Sequence, residues 1–312
     1  MTSAWRAPAF RVAQWAAGLA IVVFASRSLV RNWSELRSQP LAWDVEPGWL
    51  VLSALVVWTM YALLILAWRT MLAGWGQRVD GWTAARIWTI SSLGKYLPGK
   101  VWAVAGMALM AQRAGIAPWA ATGSAVVLQV LAIGSGAVVA GLTGRAAIEA
   151  AYPGAGLTLG LLVAGSVAGV LLLLWPPFLR RLLALASSDA ASRGTPPAFG
   201  IGLGIVANLV AWTGYGVALW SLARGLLPSA GLGLALAIAV FTASYLAGFL
   251  ALFAPGGLGV REGLFILMLQ GPLGIGAATA LALASRVLLT VTEIGAAAPF
   301  LIRSQRRARV AP

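Results

Sequence analysis

Residues 48–68, GWLVLSALVVWTMYALLILAW, contain no charged side chain. A helix of about 20 such residues crosses a bilayer's hydrocarbon core, which is about 30 Å thick. The stretch 155–175, AGLTLGLLVAGSVAGVLLLLW, is equally uncharged and equally long. Lipid offers no partner to an unpaired backbone N–H or C=O, and a helix satisfies both within its own segment. The chain is therefore expected to be an all-α integral membrane protein, with residues 1–312 forming a single transmembrane domain.

Composition narrows the chemistry. Only 10% of residues are charged, against roughly a quarter in soluble domains. There is no cysteine and no histidine, so disulfides, thiolate metal sites and the commonest general base are all missing. No cofactor is expected. The net charge of +14 does not point to nucleic acid, because most arginines flank apolar runs, where they set topology and meet anionic headgroups. Tryptophans 43, 49, 75, 82, 119 and 175 fall near the ends of those runs, as an interfacial belt requires.

About six full spans are expected, near 12–30, 48–70, 119–143, 155–175, 200–223 and 276–301. The first follows Arg6 and Arg11, precedes Arg27 and Arg31, and shows no small-residue cleavage site, so it reads as a retained helix rather than a signal peptide. Two further regions, 82–112 and 231–270, are each broken by Pro-Gly and read as re-entrant helical segments. Whether 231–253 spans fully or re-enters stays open. Short cytoplasmic loops collect basic residues. Arg180, Arg181 and Arg193, and the basic tail 302–312 with Arg303, Arg306, Arg307 and Arg309, are thus expected in the cytoplasm, with both termini, in the cell's inner (plasma) membrane.

The two breaks align as an internal repeat. Pro98-Gly99 matches Pro255-Gly256 at an offset of 157, which also pairs the "AAT" at 120–122 with that at 277–279. Upstream, WTMY (58–61) matches WTGY (212–215) at an offset of 154. Repeat A covers about 48–143 and repeat B about 200–301, with the span 155–175 linking them. An odd number of crossings between the copies makes the repeat inverted. Paired Gly/Pro-interrupted segments in inverted halves point to a transporter's binding site.

Both lysines of the chain lie in SSLGKYLPGKVW (91–102). Two readings are open. Lys95 and Lys100 snorkel to headgroups around a plain turn, or the break at Pro98-Gly99 leaves free helix ends beside two ammonium groups, a setting for an anion. In APGGLGVREG (254–263), Gly256, Gly257 and Gly259 permit close backbone approach after Pro255, and Arg261 offers a bidentate phosphate contact beside Glu262; a glycine-rich turn with a local ion pair is the plainer reading. Arg286 and Glu293, seven residues apart, share a helix face. A charge near the bilayer centre costs about 3 kcal/mol, so these two are expected to face a bundle interior, as a structural ion pair or as part of a site. Arg86 and Asn208 raise the same question. Glu149 and Asp189 read as loop residues. The small-residue runs GSGAVVAG (134–141) and GIGLG (200–204) are expected to let helices pack closely.

LGKYLPGKVW (93–102) and PGGLGVREG (255–263), in this order and separation, resemble the flippase-like transmembrane domain of the lysylphosphatidylglycerol synthases, the multiple peptide resistance factors. The resemblance covers about residues 12–302 and is specific at those two motifs and at the Arg286/Glu293 helix. It implies movement of a lipid between leaflets, in the full-length enzymes an aminoacylated phosphatidylglycerol. The family's motif residues fall here on Lys95, Tyr96, Pro98, Gly99 and Lys100, and on Pro255, Gly256, Gly257, Gly259, Arg261 and Glu262. Those enzymes also carry a cytoplasmic aminoacyl-transferase domain, whereas this sequence stops after RSQRRARVAP, so synthase activity is not expected.

The sequence thus points to a flippase, not an enzyme, for a phospholipid or polyprenyl-linked lipid, with a separate lipid-modifying enzyme as partner. Its substrate-binding set would be the residues just named together with Arg286 and Glu293. The alternatives are a membrane enzyme acting on lipid phosphates or glycosyl carriers, with Glu262 or Glu293 as acid or base, and a small-solute or ion transporter.

Overall fold

The computed structural model describes residues 45–96, 101–151, 153–186, 192, 195, 197–251 and 254–310. The expected span at 12–30, Pro98, Gly99, Lys100, Asp189 and Arg193 lie outside them. All regular structure among the described residues is helical: α1 (Pro47–Gly74), α2 (Gly81–Ser92), α3 (Val101–Arg113), α4 (Pro118–Ala151), α5 (Gly156–Leu172), α6 (Pro176–Ala186), α7 (Ala198–Leu226), α8 (Leu234–Leu250) and α9 (Val260–Val310). Short 3-10 turns follow α2 at Leu93–Tyr96 and α8 at Pro255–Gly257.

Four of these helices are long and apolar enough to cross a membrane: α1, α4, α7 and the part of α9 that ends at Ile302. The span expected at 155–175 is shorter. Pro176 and Pro177 stop it, and α5 turns by 88° into α6, so among the described residues a fifth crossing requires counting this bent pair as one. On α6, Leu179 and Leu183 are buried while Arg180 and Arg181 are exposed. The helix therefore packs its apolar side back on the bundle. On α5, Leu157, Leu161 and Leu162 are 76%, 66% and 65% exposed, an outward apolar surface suited to a lipid solvent.

Local signals place the breaks. Pro47 sits at the first position of α1, where its missing N–H costs nothing. Asp80 caps α2 by accepting from the Thr83 N–H at 3.0 Å, and the Thr83 hydroxyl and amide hold this exposed carboxyl below the usual carboxylate range. α2 and α3 fold back on each other: a Cβ on Gly94 would lie 2.9 Å from the Ala103 nitrogen, and one on Gly106 3.8 Å from the Ser91 Cβ. α8 and the start of α9 do the same, with a Gly248 Cβ 3.0 Å from the Arg261 Cβ. At 17 residues, α8 is one arm of a hairpin. Its partner arm ends at Gly274, whose φ of 80° and ψ of 157° break the helix just after Pro272. Each half of the chain therefore runs long helix, broken hairpin, long helix.

The two long helices that open the halves, α1 and α7, pack antiparallel. Glu46 N donates to Gly225 O at 3.0 Å and the Ser53 hydroxyl to Ala218 O at 2.6 Å, while Gly200 approaches Met71 at the far end. The matched tetrapeptides play matched parts. Thr59 and Thr213 each bond the carbonyl four residues back, and Tyr61 and Tyr215 lie 6.2 Å apart ring to ring. A Cβ on Gly214 would be 2.3 Å from the sulfur of Met60, its own counterpart. The tryptophans reach across: Trp58 Nε1 donates to Thr292 O on α9 at 3.0 Å, and Trp212 Nε1 to Ala132 O on α4 at 2.8 Å. Each opening helix is thus fastened to the closing helix of the other half.

Two buried clusters fill the interior. One centres on α7 to α9 with Phe241, Phe265 and Leu269, the other on α1 to α4 and α6 with Trp68, Met71, Leu131 and Leu179. The small-residue runs sit at close approaches: Cβ atoms on Gly134 and Gly141 would come within 2.4 and 2.3 Å of Val170 and Val163 on α5, and one on Gly204 within 2.8 Å of Leu131. In lipid, such backbone proximity and the dispersion contacts it permits hold helices together. Gly216 is the tightest case against backbone, since its Cβ would meet the Ile238 Cα at 2.4 Å, whereas a Cβ on Gly202 would meet nothing within 4 Å. Gly216→Ala is expected to destabilise the protein by about 1–3 kcal/mol, and Gly202→Ala to change stability by less than about 0.5 kcal/mol. Unfolding of the two variants in detergent, followed by tryptophan fluorescence, checks the contrast.

Candidate functional site

The two breaks meet. A Cβ on Gly256 would lie 3.6 Å from Tyr96 Cδ1 and 3.7 Å from the Lys95 carbonyl oxygen, so the turn after α2 abuts the turn after α8. Gly256, Gly257 and Gly259 all have positive φ (56°, 70° and 80°), which L side chains rarely adopt. At Gly257 a Cβ would also be 2.8 Å from the Gly248 Cα. Glycine is therefore required twice over there, for handedness and for room.

Around this junction the charged residues form two linked groups. In the first, Glu293 on α9 is only 7% exposed and forms an ion pair with Lys95 Nζ. Tyr96 donates to its Oε2 at 2.9 Å, and Tyr61 to its Oε1 at 3.4 Å. The Tyr96 hydroxyl also lies 3.2 Å from Thr290 Oγ1, and Lys95 Nζ lies 3.5 Å from the Tyr245 hydroxyl. One carboxylate thus gathers donors from α1 and from the first break, and Lys95, one of those donors, also donates to the Tyr245 hydroxyl on α8.

The second group is built at the start of α9. Glu262, in its first turn, accepts from the Gly259 N–H at 2.8 Å, half of a capping box, and its other oxygen accepts from Arg286 Nη1. Arg261, beside it, is 7% exposed, and its Nη2 donates to Ser285 Oγ at 2.8 Å. Its guanidinium lies 5.5 Å from the ring centres of both Phe241 and Tyr245. Among the described residues Arg261 has no carboxylate partner within ion-pair distance. The face shared by Arg286 and Glu293 is therefore used by two separate pairs, each tying α9 to one break, rather than by a pair between them.

Two adjoining cavities open at the junction. The larger, about 260 Å³, is lined by the aromatic rings of Tyr61, Trp88, Trp212, Tyr215, Phe241 and Tyr245, by Gln129 and Asn208, and by Lys95 and Glu293. The smaller, about 80 Å³, is lined by Lys95, Tyr96, Gly256, Gly257, Arg261 and Arg286. Lys95, Gln129 and Tyr245 border both. No group of three metal-ligating side chains occurs among the described residues.

Of the candidate residues, Lys95, Tyr96, Gly256, Gly257, Gly259, Arg261, Glu262, Arg286 and Glu293 converge here, together with the Pro255 backbone. Pro98, Gly99 and Lys100 fall outside the described residues. Arg86 is exposed. Glu149 pairs with Arg145 at 3.3 Å on the exposed end of α4. Asn208 is buried, spends its amide N–H on Gly204 O at 2.8 Å and borders the larger cavity. Several residues were not singled out from the sequence: Tyr61, Gln129, Tyr245 and Ser285. Tyr61 had a signal, the repeated WT-x-Y. The other three are unremarkable residues in apolar helices.

Over residues 11–291 the chain matches the family described as lysylphosphatidylglycerol synthase TM region, and it belongs to that family. A search of curated proteins gave no match. The family points to a membrane role connected with lipids.

Removing one member of a buried ion pair strands the other, at about 3–5 kcal/mol. Glu293→Gln is expected to destabilise the fold by that amount, because Lys95 is left without a counter-charge. Lys95→Met/Glu293→Gln is expected to lose less than Glu293→Gln alone. Equilibrium unfolding of both variants in mixed micelles measures the difference.

Proposed function

We propose that the protein is a lipid flippase: it moves a phosphate-bearing lipid, or lipid-linked intermediate, between leaflets, with the head in the paired cavities and the tails in the bilayer. The observation that carries this reading is the meeting of the two broken hairpins around one buried charged junction. Lys95, Arg261 and Arg286 face Glu262 and Glu293, and three cations against two carboxylates leave one positive charge. Pairing lowers the cost of burying four of these groups. Arg261, held by a hydroxyl and two ring faces, keeps fork geometry suited to a phosphate. A volume of about 260 Å³ is below the roughly 300–1,000 Å³ that encloses a drug-sized ligand, so it suits a headgroup and leaves no room for acyl chains.

The transport reading also takes the halves as an inverted repeat. Its support is the antiparallel packing of α1 on α7 and the exchange of contacts under the 154-residue offset. Leu50 meets Gly225 while Met71 meets Gly204, and each position is the other pair's counterpart. The hairpins then enter from opposite faces and meet at mid-depth, the geometry of transporters that alternate access around a fixed site. Both termini and the Arg180/Arg181 helix α6 lie on the cytoplasmic side of the plasma membrane in this reading. Catalysis by the carboxylates is disfavoured by their commitments. Glu262 is engaged by Arg286 and the Gly259 N–H, and Glu293 by Lys95 and two phenols.

Protein reconstituted in vesicles is expected to accelerate leaflet exchange of a fluorescent phosphatidylglycerol, read by dithionite bleaching. A hydrogen bond to a charged group contributes about 1.5–3 kcal/mol. Arg261→Gln is accordingly expected to slow exchange by about ten- to a hundredfold while eluting as the same folded species. Exchange no faster than in protein-free vesicles, for this and every other phosphate-bearing lipid supplied, refutes the proposal.

A further inference from the structure

The two cavities differ in chemistry. The smaller holds the net positive charge and the positive-φ Gly256 and Gly257. The larger presents ring faces, uncharged polar groups, chiefly Gln129 and Asn208, and the mutually neutralised Lys95–Glu293 pair. Resting on the reading that a lipid phosphate occupies the smaller cavity, we infer that the larger one selects an uncharged, hydroxylated head: the ligand is a phosphodiester monoanion esterified to a polyol, and Gln129 is the residue that recognises it.

Three observations support this assignment. First, the site has no counter-charge to spare for a cationic head. Glu293 is taken by Lys95, Tyr61 and Tyr96. Two of the rings lining the larger cavity, Phe241 and Tyr245, together with Tyr96 beside it, already carry the protein's own cations. Lys95 Nζ lies 5.4 Å from the Tyr96 ring centre and 5.7 Å from that of Tyr245, and Arg261 lies 5.5 Å from Phe241 and Tyr245. A second ammonium there meets like-charge repulsion. This sets the chain apart from the aminoacylated, cationic headgroup that its family's description suggests.

Second, the larger cavity has hydrogen-bonding capacity left over. Among the described residues the Gln129 carboxamide makes no hydrogen bond, so its two N–H donors and its carbonyl are free. Asn208 donates to Gly204 O and keeps its carbonyl oxygen. An acyl chain would leave these groups dry and unsatisfied, which is costly in a low-dielectric site. Hydroxyls, which donate and accept, satisfy them, while the flanking rings cover the C–H faces of a polyol.

Third, Gln129 stands at the place in the first half that Arg286 occupies in the second, by the 157-residue offset, and it borders both cavities. The pair divides the work between one charged and one neutral recognition group.

Isothermal titration of the full chain tests this in a polyoxyethylene detergent, which carries neither phosphate nor sugar. The probes are dioctanoyl phosphatidylglycerol, the phosphatidylmethanol lacking hydroxyls, and aminoacylated phosphatidylglycerol. Water-soluble glycerophosphoglycerol separates a lipid source from a free phosphodiester, and binding by either at the polyol end supports the assignment. Phosphatidylglycerol is expected to bind at least tenfold more tightly than the other two lipids. Gln129→Leu is expected to erase that preference while phosphatidylmethanol binds as before, a change in discrimination that a merely structural role does not produce. Equal affinities, tighter binding of the cationic head, or an unaltered preference in Gln129→Leu overturns the inference. Polyol-selective binding without leaflet exchange in vesicles upholds it and removes only the transport reading.

Discussion

A carboxylate buried among apolar helices has to be surrounded by donors, and Glu293 is where this requirement organises the molecule. Its partners come from two places far apart in sequence, Tyr61 in the middle of α1 and Lys95 with Tyr96 at the first break, and Lys95 also donates to the hydroxyl of Tyr245 on α8. The carboxylate fixes the first break against the closing helix of the other half. Seven residues earlier on the same helix, Arg286 fixes the second break through Glu262. One helix face therefore holds both interruptions, and the cavities between them follow from that.

The rest of the fold supplies the frame on which these charges can be held. Glycine at 136, 204, 214 and 216 brings helices close enough for van der Waals contact to bind them in lipid. The indoles of Trp58 and Trp212 lock the opening helix of each half to the closing helix of the other. Those crossed tethers hold the halves in register. Arg261 then has a distinct place: it is a buried cation held by a hydroxyl and two rings, the group in the cluster with most still to gain from a ligand.

Much of this was legible in the chain. Uncharged runs of twenty residues specify helices because lipid leaves the backbone no other solution, and four of the expected spans are present among the described residues. The repeat of WT-x-Y and Pro-Gly gave the order long helix, broken hairpin, long helix in both halves. The span at 155–175 was too long by the sequence, since apolarity continues to Trp175 while the geometry bends ahead of Pro176-Pro177. Charge in an apolar run flagged Lys95, Arg261, Glu262, Arg286 and Glu293. Gln129, Tyr245 and Ser285 carried no such flag, because an isolated polar or aromatic residue in a membrane helix is commonplace.

Solvent is what the sequence by itself determined. Too few charges and long apolar runs commit the chain to lipid, lipid commits it to helices, and glycine with proline marks where those helices must stop. Pairing was decided only by the tertiary structure. Arg286 and Glu293 share a face and could have been read as partners, yet each turns to a different break, since the partner of a buried charge is set by which groups packing brings within reach. Local sequence fixes backbone conformation through short-range sterics and hydrogen bonding. It carries no information on distance between residues 198 positions apart, such as Lys95 and Glu293, and on that distance the site depends.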